Sequence, residues 1–263
     1  MVSLPDIFSV KDRVAIVSGG HTGLGRVMAE ALLEAGAHVA VCSRRPEKWS
    51  ESYAQLKSTA SQSNRQLLSF KCDVTDKAGV AEMVSETISK LGSVDILVNN
   101  AGIAWVAPAD QMTLEDWKKV LESNLTGSFI LGQEVGRHMI SKGKGKIINI
   151  TSIAALRGTP PEVLDTLAYS AAKAGVIGLT RDLATKWARY HVNVNAIAAG
   201  WFPTHMTRLL LQNKGEMLAS RTPLGRLGQP EDLKGVVVFL SSQASDYITG
   251  QVIIVDGGLS ASF

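Results

Sequence analysis

Tyr169 and Lys173 stand four residues apart in the run Ala168-Tyr169-Ser170-Ala171-Ala172-Lys173. The run reads as helical, so a phenol and an ammonium emerge on one face, one turn apart. A free tyrosine titrates near ~10, and proton exchange at neutral pH asks for a value roughly 4 kcal/mol away. A neighbouring Lys⁺ covers most of that difference, so the pair can tune a phenol for general acid–base work. The same spacing also describes a packed ring beside a solvated charge. What distinguishes this pair is its company: Ser152 follows an upstream strand, Asn124 precedes it, and a glycine-rich turn lies near the N-terminus.

That turn, Ser18-Gly19-Gly20-His21-Thr22-Gly23-Leu24-Gly25, follows the first predicted strand and opens a helix over Leu24–Glu34. A backbone that must turn sharply, approach a pyrophosphate and present helix N–H groups to it needs glycine, here Gly19, Gly23 and Gly25. His21, Thr22 and Leu24 complete the expected cofactor-facing turn. The second strand ends in Ser43-Arg44-Arg45, where a carboxylate would hold ribose hydroxyls and repel a 2′-phosphate. A hydroxyl and two guanidiniums predict NADP(H) in preference to NAD(H), with Arg44 as the main phosphate contact. Asp73, followed by Val74, is suited to accept from an adenine amino group, or else to cap the helix beginning near Lys77, a task for which Thr75 and Asp76 stand closer. Asn99-Asn100-Ala101-Gly102 ends the fourth strand, where small residues let the chain pass close to a ribose.

These residues need a frame that gathers them. Short β-branched runs at Val14–Ser18, Val39–Cys42, Leu67–Cys72, Ile96–Val98, Lys146–Ile150, Val192–Ile197 and Val252–Val255 alternate with helical patterns. Seven strands separated by helices imply right-handed crossovers and a parallel sheet, and continuous apolar runs imply helices on both faces. The expected fold is a doubly wound α/β Rossmann fold with a seven-stranded parallel sheet, as one domain over residues 1–263. Ligands of such sheets bind beyond the carboxyl ends of the strands, where the polar and glycine positions gather. Two stretches depart from the alternation: Leu156 to Leu167, and Gly200 to about Leu227, the latter with a short apolar helix around Met206–Leu211. Both are expected to lie above the site as lids or binding loops.

With 45% hydrophobic content over 263 residues the chain can bury one large core. Its 27 basic and 24 acidic residues are nearly balanced and scattered, which speaks against nucleic acid as a partner. Two cysteines, Cys42 and Cys72, and the absence of a charged-then-apolar leader suit a reduced, cytoplasmic protein. No apolar run approaches the ~18 residues of a membrane span, and no His/Cys/Asp cluster has metal-ligand spacing.

Taken together, Ser18-Gly19-x3-Gly23-x-Gly25, Asn99-Asn100-Ala101-Gly102, Asn124, Ser152 and Tyr169-x3-Lys173 resemble the short-chain dehydrogenase/reductase family over the whole chain. The resemblance implies a nicotinamide dinucleotide, a small carbonyl or alcohol substrate and a homotetramer. It makes Tyr169 the general acid in reduction and base in oxidation. Lys173 would hold the nicotinamide ribose and lower the phenol, Ser152 would bond the carbonyl oxygen, and Asn124 would position a relay water. Thr204 falls where a family threonine binds the carboxamide. Ser18 replaces the usual threonine, Ala199-Gly200 replaces Pro-Gly, and seventeen residues separate Ser152 from Tyr169, a few more than is common. The loop after Gly200 is similar to that of sugar-acid enzymes of the gluconate 5-dehydrogenase-like branch. Trp201 and Phe202 equally suit a 3-oxoacyl thioester or cyclic ketone, and His205 and Arg208 could meet a carboxylate or a thioester phosphate. A cofactor-binding sensor or scaffold is the non-enzymatic alternative.

Overall fold

Residues of both parities along each strand are apolar, and the sheet therefore needs two cores. The computed structural model describes residues 3–262. Strands β1 (Val14–Ser18), β2 (His38–Ser43), β3 (Leu67–Lys71), β4 (Ile96–Asn99), β5 (Gly145–Ser152), β6 (Val192–Ala199) and β7 (Val252–Val255) pair in parallel in the order β3-β2-β1-β4-β5-β6-β7. Ala15, Val17, Val39, Val41, Ile96 and Val98 enter one buried cluster. Ile16, Ala40, Cys42 and Leu97, one residue out of phase, enter the other. Period-two alternation with no polar face is what a sheet covered on both sides requires.

The covering helices are α1 (Leu4–Phe8), α2 (Gly23–Glu34), α3 (Ser50–Gln62), α4 (Lys77–Leu91), α5 (Leu114–Leu121), α6 (Gly127–Lys142), α7 (Leu167–Trp187), α8 (Arg208–Arg221) and α9 (Glu231–Ser241). α2, α3 and α9 bury their apolar stripes in the first cluster, and α4 and α6 in the second. Because β1 lies between β2 and β4, the chain leaves it in opposite directions at successive crossovers, and a crevice opens at the carboxyl ends. β5 and β6 stay in register from Gly145 opposite Val192 to Ser152 opposite Ala199. Ser152 and the Ala199-Gly200 turn therefore leave the sheet at one level.

α7 is pinned to β5 by polar contacts. Thr151 Oγ1 donates to the Lys173 carbonyl at 2.8 Å, and Asn149 Nδ2 donates to Thr180 Oγ1 at 2.9 Å while its Oδ1 accepts from Asn99 Nδ2 at 3.0 Å. Each is buried and partnered, which fixes the rotation of α7 that apolar packing alone leaves adjustable. One element departs from expectation. The helix predicted at Met206–Leu211 begins at Arg208 and runs on to Arg221, because Gly215 takes helical backbone, a substitution costing only ~1 kcal/mol relative to alanine.

Candidate active site

The glycine turn is folded by close approach. Gly19 has φ +65°, and a Cβ on Gly25 would collide with the Gly19 carbonyl and the Asn100 side-chain amide. The buried Ser18 hydroxyl accepts from the backbone N–H groups of Asn100 and Ala101, each at 3.0 Å, and Asn100 Nδ2 donates to the Ser18 carbonyl at 3.0 Å. Serine in place of threonine thus still staples β1 to β4 at the crevice. Thr22 caps α2 without a side-chain bond, and the first turn of α2 holds no acidic residue, so its N–H groups are left to an anion. Leu24 packs on the first core cluster. The His21 ring does not face the turn's open side: it is buried, with Nε2 2.8 Å from Ser69 Oγ and its ring 5.7 Å from that of Tyr53. Burial lowers its pKa, against a smaller opposing effect of the Cys42 backbone.

At the end of β2 the Ser43 hydroxyl is buried without a partner. Arg44 and Arg45 are exposed, and neither pairs with a carboxylate among the described residues. An orphaned hydroxyl, two uncommitted guanidiniums and a cradle closed to Cβ atoms fit a phosphorylated dinucleotide. Asp73 Oδ1 accepts from the Thr75 N–H at 3.0 Å and from its hydroxyl at 2.8 Å, while Asp76 caps α4 by accepting from Ala78 N–H. Val74 is buried against Gly127. Thr204 lies over the glycine turn, 3.6 Å from where a Gly23 Cβ would stand, with its hydroxyl 3.0 Å from that of Thr207.

The Asn100-Ala101-Gly102 turn carries the cofactor crevice into the catalytic corner. A Cβ on Gly102 would stand 3.6 Å from Lys173 Nζ and overlap the Asn124 side chain. Asn124 sits fully buried in a π-turn, Glu122–Thr126, inserted between α5 and α6. Its Oδ1 accepts from the Ile103 N–H at 2.7 Å and its Nδ2 donates to the Ile103 carbonyl at 2.8 Å. The side chain is committed to Ile103, and the backbone carbonyl accepts from Ser128 Oγ at 2.8 Å. The bonds of the Asn124 side chain to backbone are thus long-range, reaching 21 residues upstream rather than within its own helix.

Lys173 Nζ donates to the Ile150 carbonyl at 2.8 Å and lies 5.6 Å from the centre of the Tyr169 ring. Burial pushes the ammonium down to about 8. The crowding of protein around the Tyr169 hydroxyl pushes the phenol above its ordinary value, and a hydrogen bond with Ser152 draws it back. In the protein alone, desolvation therefore outweighs the lowering expected from Lys173. Ser152 Oγ itself accepts from Ala154 N–H at 3.2 Å, which aims it off the end of β5.

Ser152 and Tyr169 line a cavity of about 850 Å³. Val163 and Leu164 wall it from the segment before α7, Trp201 and Leu210 from the segment after β6, and Leu259 from the C-terminal turn. Arg157, Lys214 and Arg221 bring positive charge to it against Asp165. Lys214 Nζ donates to the Glu162 carbonyl at 2.6 Å and the Val163 carbonyl at 3.3 Å, joining the two covering segments, and Arg157 Nη1 donates to the Leu259 carbonyl at 2.8 Å. No motif marked these three cations. His205 and Arg208, which the sequence offered for a carboxylate, lie instead on a separate shallow hollow, and the His205 ring meets Trp49 edge-on at 5.3 Å. Cys42 and Cys72 are free and buried, their thiols raised by burial to about 12 and about 11. Among the described residues no cluster could hold a metal ion and no helix is long and apolar enough to cross a membrane.

The chain is similar along nearly its whole length to known proteins. The profile of the family described as enoyl-(acyl carrier protein) reductase matches residues 19–260. The chain is 37% identical to gluconate 5-dehydrogenase of Gluconobacter oxydans, across 99% of this chain and 100% of that one. It is 40% identical to 2-dehydro-3-deoxy-D-gluconate 5-dehydrogenase of Dickeya dadantii, across 95% and 96%. A crystal structure of a gluconate 5-dehydrogenase from Burkholderia cenocepacia in complex with NADP and tartrate superposes with a TM-score of 0.91 at 36% identity, covering 99% of this chain and 100% of that one.

Proposed function

The chain belongs to the short-chain dehydrogenase/reductase family and is an oxidoreductase acting on CH–OH with NAD(P), and we propose that it uses NADP(H) to interconvert a keto and a hydroxy sugar acid. The observation that carries the substrate reading is the cavity that Ser152 and Tyr169 share with Arg157, Lys214 and Arg221, cations able to hold a carboxylate while the carbonyl reaches the phenol. Relatives named for gluconate derivatives support it, as does the neighbour crystallised with tartrate, itself a small hydroxy acid.

Bound in the crevice, the dinucleotide supplies or takes the hydride. Gly19, Thr22, Gly23, Leu24 and Gly25 offer their backbone to the pyrophosphate. His21 contributes backbone alone, since its ring is bonded to Ser69. Ser43 and Arg44 would hold the 2′-phosphate, and Asp73 and Val74 would meet the adenine. Asn100, Ala101 and Gly102 pass along the ribose, and Thr204 reaches the carboxamide. Ser152 donates to the substrate oxygen as negative charge develops there, and Tyr169 delivers the proton. Lys173 would hold the ribose hydroxyls, and its charge would favour the phenolate left on Tyr169. The Asn124 carbonyl holds a water through which Lys173 exchanges protons with solvent.

NADPH oxidation measured over sugar ketoacids, 3-oxoacyl thioesters and cyclic ketones tests this reading, with Tyr169→Phe as control. A kcat/KM highest for sugar ketoacids and for NADPH over NADH is expected. A preference for the thioesters or ketones refutes the substrate, a preference for NADH refutes the cofactor, and NADPH binding with no turnover favours a sensor. The same reading includes one domain over residues 1–263, a cytoplasmic location and a homotetramer assembled partly through the β7 edge, where Ile254 is exposed. A monomeric mass by light scattering refutes the assembly.

A further inference from the structure

At the amino ends of the strands, across the sheet from Tyr169, lies a second cavity of about 870 Å³, as roomy as the catalytic one and sharing no lining residue with it. Five turns build it: those entering β1, β4, β5 and β6, and the turn before β7. Its charges do not balance. Asp12 is paired with Arg65, Asp95 with Lys142 at 2.6 Å, and Asp246 with Lys146 at 2.7 Å, so each carboxylate facing the cavity already has its cation. The nearly buried Lys146 ammonium also donates to Asn193 Oδ1 at 3.0 Å and Ser245 Oγ at 3.3 Å.

Lys11, Arg13 and Lys144 are left with no carboxylate partner among the described residues, and His191 faces the same space. Arg13 gives one hydrogen bond, to the Ser241 carbonyl at 3.1 Å. It also stands near enough to Lys146 for its charge to add to the lowering of that ammonium by burial, against the raising effect of Asp246. Like charges gathered in a concave, partly desolvated place repel one another and focus a field that attracts an anion. At the mouth stands Tyr247, a fully exposed aromatic side chain. Such a ring offers an open face for stacking.

We propose that this cavity binds a phosphate-bearing small molecule, with Lys11, Arg13 and Lys144 contacting the phosphate and Tyr247 stacking on a planar group where the ligand carries one. The charge sets the class. Three cations lining one cavity without carboxylate partners suit a multiply charged phosphate better than a single carboxylate, and the volume accommodates a nucleoside phosphate.

Calorimetric titration of the enzyme saturated with NADP⁺, which occupies the catalytic crevice, tests this with two probes, inorganic pyrophosphate and ADP. Both are expected to bind at one site per chain. Lys11→Gln combined with Lys144→Gln, at two exposed positions, is expected to weaken both about tenfold or more. Tyr247→Ala is expected to weaken ADP alone, by about tenfold. An unchanged melting temperature confirms that the variants fold. Absence of pyrophosphate binding to the unaltered enzyme, or unchanged affinity in the double lysine variant, overturns the site. An unchanged ADP affinity in Tyr247→Ala overturns the stacking role and leaves free phosphate compounds as the occupants.

Discussion

Around Tyr169, polar atoms are tied to β5 and to the turn after β4: Lys173 Nζ to the Ile150 carbonyl, the Lys173 carbonyl to the Thr151 hydroxyl, and Asn124 to both backbone groups of Ile103. The cover over the same cavity is joined differently, through the Lys214 ammonium on the Glu162 and Val163 carbonyls and through the hydroxyls of Thr204 and Thr207. Breaking the first set leaves buried groups unpaired, whereas breaking the second exposes groups that water can satisfy. The floor is therefore rigid and preorganised for one kind of proton transfer, while the cover is free to be reshaped around different carbonyls.

The sharpest way to break the comparison is Tyr169→Phe, which removes the proton donor and leaves the ring packed. A loss of ~10² to 10⁴ in kcat with little change in melting temperature is expected. Activity within tenfold of the unaltered enzyme would place the proton transfer elsewhere. Asn124→Ala strands the half-buried N–H and carbonyl of Ile103, for which about 1–3 kcal/mol of stability is expected to be lost by denaturant unfolding. A loss below ~0.5 kcal/mol would mean that water replaces the clamp and that the floor is softer than its hydrogen bonds imply.

Titration addresses the same rigidity. Burial holds Lys173 at about 8, below its ordinary 10.5, so the kcat/KM for reduction, which reports the free enzyme, is expected to hold up to that pH and fall about tenfold per unit above it as the ammonium neutralises. For stability the sign is opposite. Between about 8 and 10.5 the unfolded chain binds the extra proton, so this group's contribution to stability is absent below 8 and grows as pH rises through that window. An alkaline limb starting above 10 would show that Lys173 is not desolvated. The smallest effect is expected from the cover: Lys214→Met keeps the aliphatic stem and removes the donor, raising KM a few-fold with kcat within about twofold. A fall in kcat matching that of Tyr169→Phe would mean that the cover is part of the catalytic machinery.

Much of this frame was legible in the residues themselves. Val14–Ser18 and its fellow strands were readable because apolar side chains of both parities have few alternatives to a twice-covered parallel strand. The glycine turn was readable because only glycine tolerates the approach that Gly25 makes to Gly19. Other features had no local signal. The π-turn at Asn124 depends on Ile103, and α8 ran through Gly215. Arg157, Lys214 and Arg221 entered the catalytic cavity while His205 turned to Trp49.

The sequence by itself determined the strands, the dinucleotide turn and the Tyr169–Lys173 pair, since each rests on spacing within one or two turns of chain. Which cations face the substrate, where the His21 ring points and how Lys11, Arg13 and Lys144 come together at the opposite end were decided only by the tertiary structure. Those arrangements arise when strand order brings distant turns side by side, and the energies that settle them, desolvation and pairing across the sheet, do not exist until the chain is packed.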